Sequence, residues 1–458
     1  MTRADLGLLT AAGVLFIELM DATIVLTALP SMAASLGEPV NAMSTSVTAY
    51  AAALAAFIPA SGWAADRVGG RRLLLWSLAA FVAASMLCAF SATMEALVIG
   101  RALQGGAAAM MAPVARLIVI AGAERSAMMR TIALLTWPAL LAPLVAPLIG
   151  GWLTEQFGWR SIFLVNLPLG LAAMAATAAV FHREDWTSRK RPLDAPGLLL
   201  AICAGAGLVV GLDMAIAGQP GWLPILAIAC AALIAFVSLM RRAKAPLVDL
   251  GPLAIRTFAV ATAQSGALMR LAINAMPYLL ALMFQTAFDM SPTEAGGMLT
   301  IYMAGNIAMK PATSWILNRW GFRDTLAANG VLGACVLCGL AFCSVATPPA
   351  VLYILLFVAG LSRSMNFTAT NTLMFADVAP DQRNDASTLA SSLQQAMFSL
   401  GVGTAAAGLA ISMRWRGVDG VALADFRNTL VVFSLIIAAS AIGYHVTLAP
   451  ASGGELRR

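Results

Sequence analysis

Apolar residues dominate this chain in long runs, separated by short stretches that gather most of the Arg and Asp. A helix rises about 1.5 Å per residue, so crossing roughly 30 Å of hydrocarbon takes about 20 residues. Runs of that order occupy 8–28, 46–66, 72–91, 96–120, 131–153, 162–181, 196–213, 222–240, 259–286, 294–316, 325–346, 350–375, 387–411 and 428–448. They predict an all-α polytopic membrane protein of fourteen transmembrane helices. Lipid offers backbone groups no hydrogen bonds, so only helices or closed barrels cross it, and continuous apolar runs favour helices over alternating barrel strands. The first run imitates a signal peptide until Glu18 and Asp21 interrupt it, which predicts an uncleaved span.

Composition supports lipid as the main solvent: 60% of the 458 residues are hydrophobic, 11% are charged, and the mean hydropathy is +0.85. The net charge of +6 does not mark a nucleic-acid partner, because the basic residues are scattered between apolar runs. Assigned to alternate sides, nineteen Lys and Arg fall with the N-terminus, four (Arg160, Arg414, Arg416 and Arg427) fall opposite, and five lie within spans. The excess of basic residues marks the cytoplasmic side, so both termini are expected inside. All six cysteines sit in apolar segments, where they behave as small hydrophobes. Cys335 and Cys338 form a CxxC without a second pair or a His, so neither metal nor disulfide framework is expected.

An internal repeat is visible. Asp66-Arg67-Val68-Gly69-Gly70-Arg71 after span 2 returns as Asn318-Arg319-Trp320-Gly321-Phe322-Arg323 after span 10. That offset of eight spans predicts a six-helix half at 1–185, two inserted helices with flanking loops at 186–256, and a second six-helix half at 257–458. Repeated halves are the architecture of secondary transporters, which place substrate between them near the midplane.

Charges inside spans point to function by default. Glu18 and Asp21, three residues apart on span 1, share a helix face and need a proton, a partner or water. Asp21 lies roughly 10 Å and Arg101 roughly 8 Å from the outer edge of their spans, so the two are matched in depth. We expect them to form a relay whose pairing changes with protonation, the alternative being a fixed structural ion pair. In the second half, Arg270 with Asn274, and Arg363 with Asn366, are expected in a substrate cavity with Gln104, whereas Lys310 is expected to reach back toward the cytoplasm. The 24 methionines suit adaptable apolar walls, although core packing accounts for most of them.

Four segments carry a family resemblance: Ser61-Gly62-Trp63-Ala64-Ala65-Asp66-Arg67-Val68-Gly69-Gly70-Arg71-Arg72, Gly100-Arg101-Ala102-Leu103-Gln104-Gly105, the stretch from Asp21 to Pro30, and the stretch from Trp159 to Gly170. They resemble signatures of the major facilitator superfamily and of its fourteen-span drug–proton antiporters of the EmrB/QacA type. The resemblance implies proton-coupled efflux of small amphipathic or toxic compounds by alternating access in a bacterial inner membrane. It also implies a gate motif of Gly62, Asp66, Arg67, Gly69, Arg71 and Arg72, in which Asp66 latches onto the start of span 13 near Ala386 and Ser387. Span 5, with Pro138, Pro143, Pro147, Gly150 and Gly151, resembles the kinked antiporter signature, although Ala133, Ala142 and Ala146 stand where glycines are usual. Two further departures are Leu26, where an asparagine is common, and Gln394-Gln395, where an Arg-Gln pair is usual.

The expected energy source is the proton gradient, with no cofactor, and the expected partners are a small-molecule substrate and the bilayer. A single chain is expected to suffice, with a periplasmic adaptor left open. Enzyme chemistry is disfavoured: no HExxH or GxSxG occurs, and no Lys follows a glycine as a phosphate-binding loop would need. Two alternatives stay open, export of one specific metabolite, with an anion among the candidates, and a remote one, a membrane enzyme or sensor.

Overall fold

The structure, a computed structural model, describes residues 3–121, 128–181, 193–243, 246–379, 382–418 and 420–449, with side chains not described at 3–4, 120–121, 128–140 and 384. Several basic residues used to orient the chain lie outside the described residues or side chains: Arg3, Arg125, Arg130, Arg183, Arg189, Lys190, Arg191, Lys244, Arg457 and Arg458. The side chains of Ala133 and Pro138, and all of Pro380 and Asp381, are outside them as well.

Among the described residues the ordered elements are helices, and twelve of them are long and apolar enough to cross a membrane. These twelve fall on twelve of the expected runs. At the other two stand a helix over Met128–Phe157 and one over Pro292–Ala308, the latter 17 residues long.

The chain forms two compact units, one of Met1–Ala215 with Gln219–Leu247, the other of Ile216–Gly218 with Val248–Arg458. The first contains α1 (Arg3–Ile24), α2 (Leu29–Leu36), α3 (Ser44–Phe57), α4 (Ala60–Val68), α5 (Gly70–Ala89), α6 (Met94–Ala121), α7 (Met128–Phe157), α8 (Ser161–Leu164) and α9 (Asn166–Val180). It also holds most of α10 (Ala195–Ala217) and all of α11 (Trp222–Arg242). The second unit contains α12 (Arg256–Thr262), α13 (Ser265–Thr286), α14 (Pro292–Ala308), α15 (Lys310–Ala341), α16 (Pro349–Met374), α17 (Arg383–Arg416) and α18 (Leu423–Thr447).

Within the first unit α1 packs on α6, α7 and α9, α3 packs on α6, and α5 packs on α6 and α9. The second unit repeats these pairings with α13 on α17 and α18, α14 on α16, and α15 on α16 and α18. Lipid tails are as apolar as leucine, so burial of apolar surface gives little drive for helices to associate there, and close packing of small residues takes its place. The core of the first unit shows that chemistry: Ala107, Ala108, Ala109, Ala112 and Ala115 line α6 against Leu15, Leu54 and Phe81. Helices α10 and α11 differ. Little of their surface is buried in protein, whereas most of Arg256–Thr286 is, so their all-round hydrophobicity suits them to lipid.

The sequence repeat has a backbone counterpart. Gly69 ends α4 at φ 89° and ψ 137°, and Gly321 interrupts α15 at φ 81° and ψ 170°. These conformations are open to glycine and strained for other residues, so each glycine breaks one helix and starts the next within a single residue. We expect Gly69→Ala and Gly321→Ala each to cost about 1–3 kcal/mol in local strain. Gly62→Ala, at a helical position with no heavy atom near the added carbon, should be neutral or slightly stabilising. Thermal unfolding of the purified variants checks this, and equal melting temperatures for all three would contradict it.

Candidate functional site

Asp21 lies in the last turn of α1, just before the chain tightens into a 3-10 turn at Val25–Thr27, and it is fully buried. A buried carboxylate in an apolar bundle must be met by donors. Here three converge on it. Arg101 Nη1 donates to Oδ2 at 2.8 Å, while Gln104 Nε2 and Asn166 Nδ2 donate to Oδ1 at 2.8 and 2.6 Å.

The donors are held in turn. Arg101 and Gln104, one turn apart on α6, bond to each other through Nη1 and Oε1 at 2.6 Å. Ser85 on α5 accepts from Gln104 Nε2 at 2.8 Å and from Asn166 Nδ2 at 3.2 Å. Arg101 Nε reaches the Ser46 carbonyl of α3 at 3.4 Å, and its guanidinium lies 4.2 Å from the centre of the Tyr50 ring and 5.9 Å from that of Phe163. Cation–π contact of this kind strengthens where water is absent. Asp21, Arg101, Gln104, Ser85 and Asn166 all have 0% exposure, so the network spans α1, α3, α5, α6 and α9 without reaching solvent.

Small residues set these distances. A side chain on Gly105 would lie 2.2 Å from the Tyr50 carbonyl oxygen, so only glycine there lets α6 approach α3 closely. Gly150 of α7 likewise faces Ile24 and Thr27, where α1 gives way to the 3-10 turn.

The structure thus joins Asp21 to Arg101 as their depths suggested. Gln104, expected in a substrate cavity, is instead a partner of Asp21. Glu18, one turn earlier, makes no hydrogen bond to this cluster: it is half-buried, its Oε2 has no hydrogen-bond partner, and the charges of Arg116 and Asp21 and the Ala112 backbone act on it. Sequence reasoning missed Ser85, Tyr50, Phe163 and Asn166. The last two stand inside the Trp159–Gly170 stretch, and the same stretch contributes Arg160, which stacks on Trp159 and donates to the Ser91 carbonyl at 3.1 Å. It also missed Asp213 of α10, which accepts from Thr45 of α3 and so ties the lipid-facing helix to the bundle.

In the gate segment Gly62 and Asp66 are half-buried and Arg67 and Arg72 exposed, whereas Arg71 donates to the Ala178 carbonyl at 2.9 Å. That carbonyl belongs to the last turn of α9, where a cation meets both unsatisfied oxygens and the negative end of the helix dipole. Pro143, Pro147, Gly150 and Gly151 lie on α7, which runs unbroken over 30 residues, and Pro147, Gly150 and Gly151 are buried.

In the second unit Arg270 of α13 is 5% exposed, and its Nη2 donates to Asn371 Oδ1 of α16 at 2.9 Å. Arg363 of α16 reaches the Ile273 carbonyl and the Tyr302 hydroxyl, each at 3.4 Å. Asn274 is half-buried one turn from Arg270, and Asn366 bonds the Ser362 carbonyl of its own helix. Lys310, expected to reach toward the cytoplasm, donates to Thr368 at 3.0 Å.

Residues 11–402 match the Major Facilitator Superfamily. The chain is 34% identical over 390 residues to "Putative multidrug resistance protein MdtD" of Klebsiella pneumoniae subsp. pneumoniae, covering 84% of this chain and 82% of that one. It is 33% identical over 438 residues to the protein of that name in Escherichia coli, covering 92% and 90%. Among solved structures it resembles the POT family transporter PepTSo, with a TM-score of 0.71, 12% identity and coverage of 96% and 97%. It also resembles the nucleoside transporter NupG, with a TM-score of 0.68, 14% identity and coverage of 97% and 100%. These relatives and neighbours, with the many apolar helices, define a multi-pass membrane transporter rather than an enzyme. The chain belongs to the Major Facilitator Superfamily.

Breaking a buried ion pair from one side leaves a charge without compensation, which costs about 3–5 kcal/mol, whereas removing both charges costs far less. Arg101→Leu is therefore expected to lower the melting temperature strongly, and adding Asp21→Leu to recover much of the loss. A double variant no more stable than Arg101→Leu alone, in purified protein, would count against the pairing.

Proposed function

We propose that this transporter exports small amphipathic or toxic compounds in exchange for protons. The observation that carries the reading is the fully buried Asp21 carboxylate, held by Arg101, Gln104 and Asn166 and sealed from solvent in this structure. The relatives' name as multidrug resistance proteins supports the substrate class.

In mechanism, protonating Asp21 removes its charge and turns an acceptor into a donor. The Arg101 bond then loses most of its strength, while the Tyr50 ring and the Ser46 carbonyl continue to hold the guanidinium on α3. Because the network is bonded across several helices, a proton at one atom is felt by all of them. Glu18, with an unpartnered oxygen one turn away, is a second acid on the same face, through which a proton reaches Asp21.

The reading includes fourteen spans with both termini cytoplasmic in a bacterial inner membrane. It divides the chain into a proton-handling half at 1–185, an inserted pair at 186–256 and a second half at 257–458. Alternating access follows from movement of one six-helix half against the other, with Asp66 latching the gate motif of Gly62, Arg67, Gly69, Arg71 and Arg72. The proton gradient supplies the energy and no cofactor is needed. The chain acts as a monomer in the bilayer, and any periplasmic adaptor is accessory to it.

Asp21→Asn keeps the size of the side chain and an acceptor for Gln104 and Asn166, but it loses the ion pair with Arg101 and cannot cycle a proton. It is expected to abolish transport driven by an imposed pH gradient in proteoliposomes while leaving substrate binding intact. Wild-type gradient-driven transport by this variant would sink the proton-carrier role. Asp66→Asn should leave binding unchanged and alter the cytoplasmic accessibility of single cysteines placed beside the gate.

A further inference from the structure

Arg270 is a buried cation that makes no ion pair among the described residues. It sits near the middle of the Arg256–Thr286 span. Asp425 pairs with Arg416, Asp324 with Arg323, Asp377 accepts from Thr257, and Glu294 caps α14. An arginine held at such depth without compensation is costly, and burial without a partner marks a place where a partner arrives.

The side chain is aimed and restrained. Asn371 Oδ1 accepts from Arg270 Nη2 at 2.9 Å and from Gln394 Nε2 at 3.2 Å, so α16 and α17 hold one corner of the guanidinium. Nε and Nη1 are both buried and have no hydrogen-bond partner. A guanidinium presents two forks, Nε with Nη2 and Nη1 with Nη2. Whichever Nη2 hydrogen goes to Asn371, the other lies beside Nε or Nη1, so one complete two-pronged fork stays open. Such a fork fits the two oxygens of a carboxylate. Arg363, bonded to the Ile273 carbonyl on the same α13–α16 seam, adds a second positive charge.

We propose that Arg270, positioned by Asn371 and Gln394, is the binding site for a carboxylate head group on the transported solute. The inference rests on the exporter reading above and narrows its substrates to amphipathic organic anions. Lipid head groups are excluded as the source by depth, because they lie at span ends and Arg270 lies near the centre of its span.

The test uses three ligands that share one aromatic body, naphthaleneacetate, naphthaleneacetamide and naphthylmethylammonium, with binding to purified full-length protein measured by titration calorimetry. A fork to a carboxylate is a charged hydrogen-bond pair, so the wild type is expected to bind naphthaleneacetate about tenfold or more tighter than the amide. Arg270→Gln should remove that preference while leaving affinity for the amide unchanged, which also reports that the variant is folded. Arg270→Lys, which keeps charge but loses the fork, should retain only part of the preference. The proposal is overturned if the wild type binds the amide or the ammonium compound as well as the carboxylate, or binds none of the three. It is equally overturned if either Arg270 variant keeps the full preference. No proton gradient is present, and Asp21→Asn protein should show the wild-type preference, so failure of proton coupling and failure of the anion site appear in different measurements.

Discussion

The first unit brings five helices together around one fully buried carboxylate, and a carboxylate so placed must be met by donors. The Asp21–Arg101 pair answers that constraint with three donors to the acid and a second ring of partners to the donors. The arrangement explains why five helices must meet at one point, and why glycine and alanine rather than leucine occupy the closest approaches. A larger side chain at Gly105 would push α6 off α3 and pull Arg101 away from Tyr50 and Asp21 together.

Buried ion pairs rarely stabilise a fold more than well-packed apolar groups would. The Asp21 network has no exposed side chain and is held together by the charge of one carboxylate. Structural ion pairs such as Arg416 with Asp425, which close the α17–α18 connection, have one exposed member and lack that property.

Much of this was legible in the sequence, for physical reasons. Long apolar runs are unambiguous because lipid allows so few backbone solutions, and the Asp21–Arg101 pairing followed from depth alone. Gln104 was misplaced because helical spacing shows which residues share a face, not which neighbour that face meets. Asn166 and Phe163 were invisible as site residues for the same reason: their helices reach Asp21 and Arg101 only in three dimensions. Span ten was harder still, since its helix stops at 17 residues while α15 continues past a glycine turn that no hydropathy pattern reveals. The free donors of Arg270 could be read only once Asn371 and Gln394 were seen to hold a single corner of the guanidinium.

The sequence offset that carries Gly69 onto Gly321 also carries Tyr50 onto Tyr302. Each tyrosine meets a close-packed glycine of its partner helix, Gly105 in one unit and Gly360 in the other. Each tyrosine ring also lies under an arginine of that partner helix, from a different register: Arg101 stands four residues before its glycine and Arg363 three residues after its own. The helix that bears Asp21 in one unit bears Arg270 in the other. A duplicated ancestor would leave this record: turning points and close approaches inherited twice, ionisable side chains free to diverge. In such a lineage a change of cargo requires editing a few residues on a frame that was already settled, and the two copies can specialise without either having to learn to fold again.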